Sequence, residues 1–387
     1  MNWCLRLLLA STIFLSPAWG ATPRDLPKVS ARAWLLKDIN SGYILSSYNE
    51  HLPLHPGGLT KLMSGYALFQ VLAKKNIALN HEIVIDGSVQ ATSGPRIFLQ
   101  PGDRIRTDSL LTAMFVHSAN DATLALANEY SGSEKMLVEK MNRQARVLGM
   151  TRTRFTNVTG LPDTSQASTA ADLSLLAQAI TRQFPQHQDM FKTKKIRHYN
   201  LNYFNRNAIL WRDSNASGLM ASPYQNTGYH LVATSEQNNL NLAVVVLGAT
   251  NEQRLFEAAQ ALIDYGRRNY ETTLLYPARK VLAEIPVGQG NASTVPVGPL
   301  DNLYVTLPKG AFSQLEARLE VEPQLTAPVQ QGEDAGGLTL LFKQHVIAEH
   351  PLVALEPVSV GNAVQKTWSK FRNWLQQDAG NQSTTEE

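Results

Sequence analysis

Apolar and polar residues alternate at 31–36, Ala31-Arg32-Ala33-Trp34-Leu35-Leu36, and again at Gly42-Tyr43-Ile44-Leu45. The turn residues Asp38-Ile39-Asn40-Ser41-Gly42 lie between the two runs, so a hairpin is predicted and a sheet begins here. After the breakers Pro53 and Pro56 the period lengthens: Leu62, Tyr66, Phe69 and Leu72 fall on one face of a helix starting near Gly58. Helical spacing recurs at 110–130, 134–148, 170–181 and 255–268, while 231–234 and 240–247 read as buried strands. Strands on both sides of a helical middle predict a layered α/β domain over 21–270. Beyond Arg268 the runs 281–287, 303–307, 315–321 and 338–355 are short, β-rich and punctuated by Gly and Pro, which predicts a small all-β domain at 275–358.

The two ends carry a different signal. Arg6, an apolar run over 7–15, Pro17 and Ala18-Trp19-Gly20 before Ala21 read as a signal peptide over 1–20, cleaved near Gly20. The run is well short of the roughly 20 apolar residues that a spanning helix needs, so the expected product is an exported, periplasmic chain. At the other end, Val364, Trp368, Phe371 and Leu375 share one side of a predicted helix over 361–377, with Trp374 beside them and Lys366, Lys370 and Arg372 on the flanks. That arrangement suits an amphipathic helix lying on a membrane surface. The polar residues 378–387 have too little apolar content to fold and are expected to be disordered.

Composition narrows the chemistry. With a formal net charge of +3 over 387 residues there is no field to attract nucleic acid. Cys4 is the only cysteine and lies within the signal, so the mature chain has no disulfide and no thiolate nucleophile. His51 and His55 have metal-like spacing, but Pro53 and Pro56 prevent the helix that would align them, and they read as surface histidines. No metal or cofactor is expected.

Five segments in fixed order carry a family resemblance: Pro56-Gly57-Gly58-Leu59-Thr60-Lys61, Ser118-Ala119-Asn120-Asp121-Ala122, Leu148-Gly149-Met150 with Phe155-Thr156-Asn157-Val158-Thr159-Gly160-Leu161, Asn205-Arg206-Asn207, and Gly228-Tyr229-His230-Leu231-Val232-Ala233. Together they resemble the D-alanyl-D-alanine carboxypeptidases, low-molecular-mass penicillin-binding proteins of peptidase family S11, whose site uses Ser-x-x-Lys, Ser-x-Asn and Lys-Thr-Gly elements. The resemblance implies a penicillin-binding, β-lactamase-like transpeptidase domain, an antiparallel sheet with flanking helices, ahead of the β-rich domain. It also implies docking of the terminal helix on the outer face of the inner membrane.

The chain departs from the family where chemistry is done. Where relatives read Pro-Ala-Ser-Leu-Thr-Lys, Gly58 stands at the nucleophile position and Lys61 at the base position. The Lys-Thr-Gly stretch corresponds to Met220-Ala221-Ser222, with Met220 at the position of the substrate-binding Lys. Ser118 and Asn120 are intact. Two roles suit Lys61: a peptide binder left over from catalysis, or a structural cation bonded to Ser118 and Asn120. Removing the nucleophile of a serine hydrolase costs on the order of a millionfold in turnover. The expectation is therefore a non-catalytic homologue in cell-wall metabolism, with a peptidoglycan stem peptide or a cell-wall enzyme as partner. The competing expectation is an active serine-type carboxypeptidase that trims the terminal D-alanine of pentapeptides.

Overall fold

The computed structural model describes residues 26–224 and 228–361, in two compact units that divide between Thr272 and Thr273. The signal peptide at 1–20 and the terminal helix with Val364, Trp368, Phe371, Trp374 and Leu375 lie outside the described residues. No helix among the described residues is long and apolar enough to cross a membrane.

The first unit is built on a five-stranded sheet. Its strands are β1 (Ala33–Asp38), β2 (Ile44–Tyr48), β3 (Ala216–Tyr224), β4 (Gly228–Gln237) and β5 (Leu240–Ala249), in the order β2-β1-β5-β4-β3 with antiparallel pairing. Because side chains alternate across a strand, continuous apolar runs bury two faces at once. In β5, Ala243, Val245 and Leu247 enter one core while Leu242, Val244 and Val246 enter the other. Helix α6 (Glu252–Asn269) covers the second face through Leu255, Ala259, Leu262 and Ile263, and the side chain of Asn251 caps its N-terminus.

The other core is built around α1 (Thr60–Lys75), with α2 (Thr107–Val116), α3 (Asn120–Ser131) and α4 (Glu134–Val147) packed against it and α5 (Ala170–Gln183) lying on the strands. Helix α1 is enclosed on nearly every side, with Leu62, Met63, Tyr66, Leu68, Phe69 and Leu72 all buried. It begins at Thr60, two residues after the expected start near Gly58, following a 3₁₀ turn at Gly57–Leu59. The single helix expected at 110–130 is two helices, broken at His117-Ser118-Ala119, where Ser118 adopts φ +60°. Apolar periodicity runs through the break and hides it. Its physical origin is a set of tertiary bonds: Asn120 N donates to Pro95 O, and the Asp121 carboxylate accepts from Ile97 N and Leu99 N.

In the second unit a six-stranded sheet encloses its own core of Ile285, Val295, Val297, Leu338, Leu340, Leu352 and Val358. The run at 338–355 belongs to a hairpin of Asp334–Phe342 and His345–Ala354. Its turn residues Lys343 and Gln344 both have positive φ, a conformation more often signalled by Asn-Gly.

Two glycines with similar backbone angles separate conformational strain from close packing. Gly160 has φ +79° and presses on the backbone of Gly57, so that a Cβ would fall inside the Gly57 carbonyl, whereas Gly132, at φ +83°, has open space around it. Gly132→Ala is expected to cost about 1–2 kcal/mol for the left-handed conformation alone. Gly160→Ala adds an overpacking cost of about 1–3 kcal/mol. Urea unfolding of the two variants, read as a shift in midpoint, measures the difference.

Candidate functional site

The three motif segments converge at the N-terminus of α1. The entry to that helix is set by short-range bonds: Gly57 N donates to His55 Nδ1 at 3.0 Å and Leu59 N to Pro56 O at 3.2 Å. His55 is thus half-buried and structural; only His51 is at the surface. Burial lowers the His55 pKa, so its ring stays a neutral acceptor near neutral pH.

Gly58 N donates to Ser222 Oγ at 2.8 Å, across 164 residues of sequence. A Cβ built on Gly58 would lie 2.9 Å from Ser118 Oγ and 3.0 Å from Ser222 Oγ. The volume that a side chain at 58 would need is therefore filled by two hydroxyls, one from the α2–α3 break and one from β3.

On β3 the pairing with β4 is regular from Gly218 onward, with Met220 opposite Val232 and Ser222 opposite His230. Residues two apart on a strand share a face, so Met220 lies on the face of β3 that carries Ser222 towards Gly58. Met220 is completely buried in the core that also contains Leu59, Leu62 and Met63 of the α1 segment. Ala221 points to the opposite core, against α6. The next residue, Pro223, supplies no backbone N–H.

Lys61 is 1% exposed, and its Nζ donates to Thr159 O at 2.5 Å. One turn further along α1, Ser64 Oγ donates to Val158 O at 2.7 Å, so one helix face holds two successive carbonyls of the 157–161 loop. Asn157 fixes that loop from within, its Oδ1 accepting from Gly160 N at 2.6 Å. Lys61 is not bonded to Ser118 or Asn120, as one of its two expected roles required: its Nζ donates to the Thr159 carbonyl instead. Burial pushes the Lys61 amine down to about 7, and the negative charge of Asp121 offsets only part of this.

Asn120 donates through Nδ2 to Ser93 O at 2.6 Å, but its buried Oδ1 has no partner. His117, beside Ser118, was not singled out by its sequence context, since nothing local marks it. Its ring lies 4.7 Å from that of Tyr203, and burial, reinforced by Arg206, lowers its pKa to about 4. A cavity of about 650 Å³ in the same unit is lined by His55, Asp163, Gln166 and His230 among others, and by none of the motif residues Gly58, Lys61, Ser118, Asn120, Met220 and Ser222.

The arrangement offers poor conditions for covalent catalysis. A nucleophile needs an oxygen or sulfur within hydrogen-bond reach of a base. Among the described residues no hydroxyl is bonded to Lys61 Nζ, and the Gly58 N–H, which would suit a developing oxyanion, is already taken by Ser222.

Comparison with known proteins places these features in context. Residues 21–251 match the D-alanyl-D-alanine carboxypeptidase family of peptidases, S11, and residues 270–359 match the C-terminal domain of penicillin-binding protein 5. The chain is 33% identical over 388 residues to the D-alanyl-D-alanine carboxypeptidase DacC of Escherichia coli strain K12, covering 96% of this chain and 97% of that protein. It is 30% identical to DacD of the same organism, covering 95% and 99%. Penicillin-binding protein 5 from Haemophilus influenzae superposes with a TM-score of 0.80 at 29% identity, covering 87% of this chain and 99% of that structure.

The Lys61 shift has a pH consequence. The folded amine is near 7 against an ordinary 10.5, so between those values the unfolded chain holds a proton that the folded chain has released. Stability associated with Lys61 therefore rises with pH over that window and is lowest below 7. Wild type minus Lys61→Met, compared by urea unfolding at several pH values across the window, is expected to move in favour of wild type as pH increases. A difference independent of pH would show that the amine titrates normally.

Proposed function

Since the chain belongs to the D-alanyl-D-alanine carboxypeptidase family, we propose that it is a non-catalytic member acting in peptidoglycan metabolism, which binds stem peptide or modulates a cell-wall enzyme. The observation that carries this reading is the contact of Gly58 with Ser222 and Ser118. It supports loss of chemistry on three counts: position 58 has no nucleophile, its volume is occupied, and its N–H is committed elsewhere. Burial of Met220 adds a fourth, because the position that would offer a cation to a substrate carboxylate is apolar and enclosed.

What remains favours recognition. Strand β3 lies at the end of the sheet order, so one of its edges is unpaired within the sheet, and an extended peptide can add to such an edge by main-chain bonds. The unpartnered Oδ1 of Asn120 can accept from a peptide N–H nearby. In this reading the chain is exported after cleavage near Gly20. It then sits on the outer face of the inner membrane through Val364, Trp368, Phe371, Trp374 and Leu375.

A second reading, a working serine-type carboxypeptidase, is favoured by one observation: an amine held near 7 is neutral in a useful fraction at physiological pH, as a general base must be. It would require Ser118 or Ser222 to replace the missing nucleophile.

Fluorescent penicillin separates the two. The wild type is expected to remain unlabelled on a denaturing gel and to release no D-alanine from a pentapeptide. Gly58→Ser alone is expected to be destabilised and hardly labelled, because its side chain meets Ser118 and Ser222. Combining it with Ser222→Gly and Met220→Lys is expected to restore labelling. Covalent label on the wild type at Ser118 or Ser222 would establish the second reading.

A further inference from the structure

Residues 192–212 hold six cations, Lys192, Lys194, Lys195, Arg197, Arg206 and Arg212, and no Asp or Glu, in a chain with 35 basic and 32 acidic residues. All six are exposed, and none forms an ion pair among the described residues. Two of the six, Lys195 and Arg197, sit on a hairpin of Lys195–His198 and Leu201–Phe204, in which Lys195 pairs with Phe204 and Arg197 with Asn202. Pairing places these four residues on one face, and all are exposed. The other face carries the buried Tyr203 and half-buried Ile196 and His198.

Aromatic surface accompanies the charge. Phe204 is 59% and Trp211 49% exposed, and Lys194 Nζ stands 5.7 Å from the Trp211 ring. The inner face is tied to the candidate site: Tyr203 packs on His117, the neighbour of Ser118, and Tyr199 donates to Asp103 Oδ2 at 2.5 Å. The hairpin is thereby anchored next to the candidate site, with its outward face open to solvent.

We propose that this face docks the glycan strand of peptidoglycan, an N-acetylated sugar polymer bearing peptide carboxylates, a proposal that rests on the peptide-binding reading above. The cations complement the carboxylates, the flat aromatic faces offer apolar contact to sugar rings, and exposed Asn200 and Asn202 supply both donors and acceptors for hydroxyl and acetamido groups. Those amides suit a sugar polymer, whose hydroxyl and acetamido groups recur along its length.

The mature chain is tested by co-sedimentation with purified intact sacculi and, separately, with vesicles of phosphatidylethanolamine and phosphatidylglycerol. Lys195→Glu with Phe204→Ser is expected to weaken sacculus binding by about tenfold or more, the loss of roughly 1.4 kcal/mol. Vesicle binding and thermal midpoint should stay unchanged, because both side chains point to solvent. Failure of wild type to bind sacculi, or equal binding by the variant, overturns the proposal; a loss confined to vesicles makes the face lipid-directed and overturns it too. Titration with soluble pentapeptide tests the cleft independently. Absence of pentapeptide binding alongside a variant-sensitive sacculus interaction would sink the cleft reading while leaving this surface standing.

Discussion

The approach of the α1 N-terminus to β3 is the constraint on which the site depends. The Gly58 N–H reaches Ser222 Oγ because residue 58 has no side chain to hold the strand away, and Gly160 lets the 157–161 loop press on Gly57 from the other side. Each glycine makes room for a backbone contact that the other elements then use. Lys61 and Ser64 on α1 bond to Thr159 O and Val158 O, so the loop, the central helix and the end strand of the sheet form one locked assembly. The charged form of the Lys61 amine is supported there by the Thr159 carbonyl and by Asp121, but burial disfavours it more strongly, which accounts for the lowered pKa.

Most of the fold was legible because it follows from burial periodicity. The two-sided apolar runs of β4 and β5 and the enclosed face of α1 are patterns of spacing, and spacing is a local property. Features that depend on distant partners were not legible. The break at Ser118 lies inside an uninterrupted apolar pattern and is produced by Pro95, Ile97 and Leu99 bonding to residues 120 and 121. The turn at Lys343 and Gln344 lacks the Gly or Asn that usually announces positive φ.

The candidate site divides in the same way. The identities at 58, 61, 118 and 120 were read from short contiguous words, and 220 by counting forward from Trp211 and back from Gly228. Their geometry could not. One of the two roles expected for Lys61 bonded it to Ser118 and Asn120, yet it bonds to Thr159 O, and nothing in the sequence marks Ser222 as the partner of Gly58. The cationic face of the 195–204 hairpin was also missed, because its charges are interspersed with aromatics and amides and become a single surface only when the two strands pair.

The two hydroxyls around Gly58 also bear on how this chain can change over generations. A serine placed at 58 would bring its Cβ against Ser118 Oγ and Ser222 Oγ, which must then move. Vacating Ser222 first would remove the acceptor of the Gly58 N–H with no compensating gain. Neither single change is neutral, so the packing couples positions 58 and 222: filling one is best tolerated when the other is emptied with it.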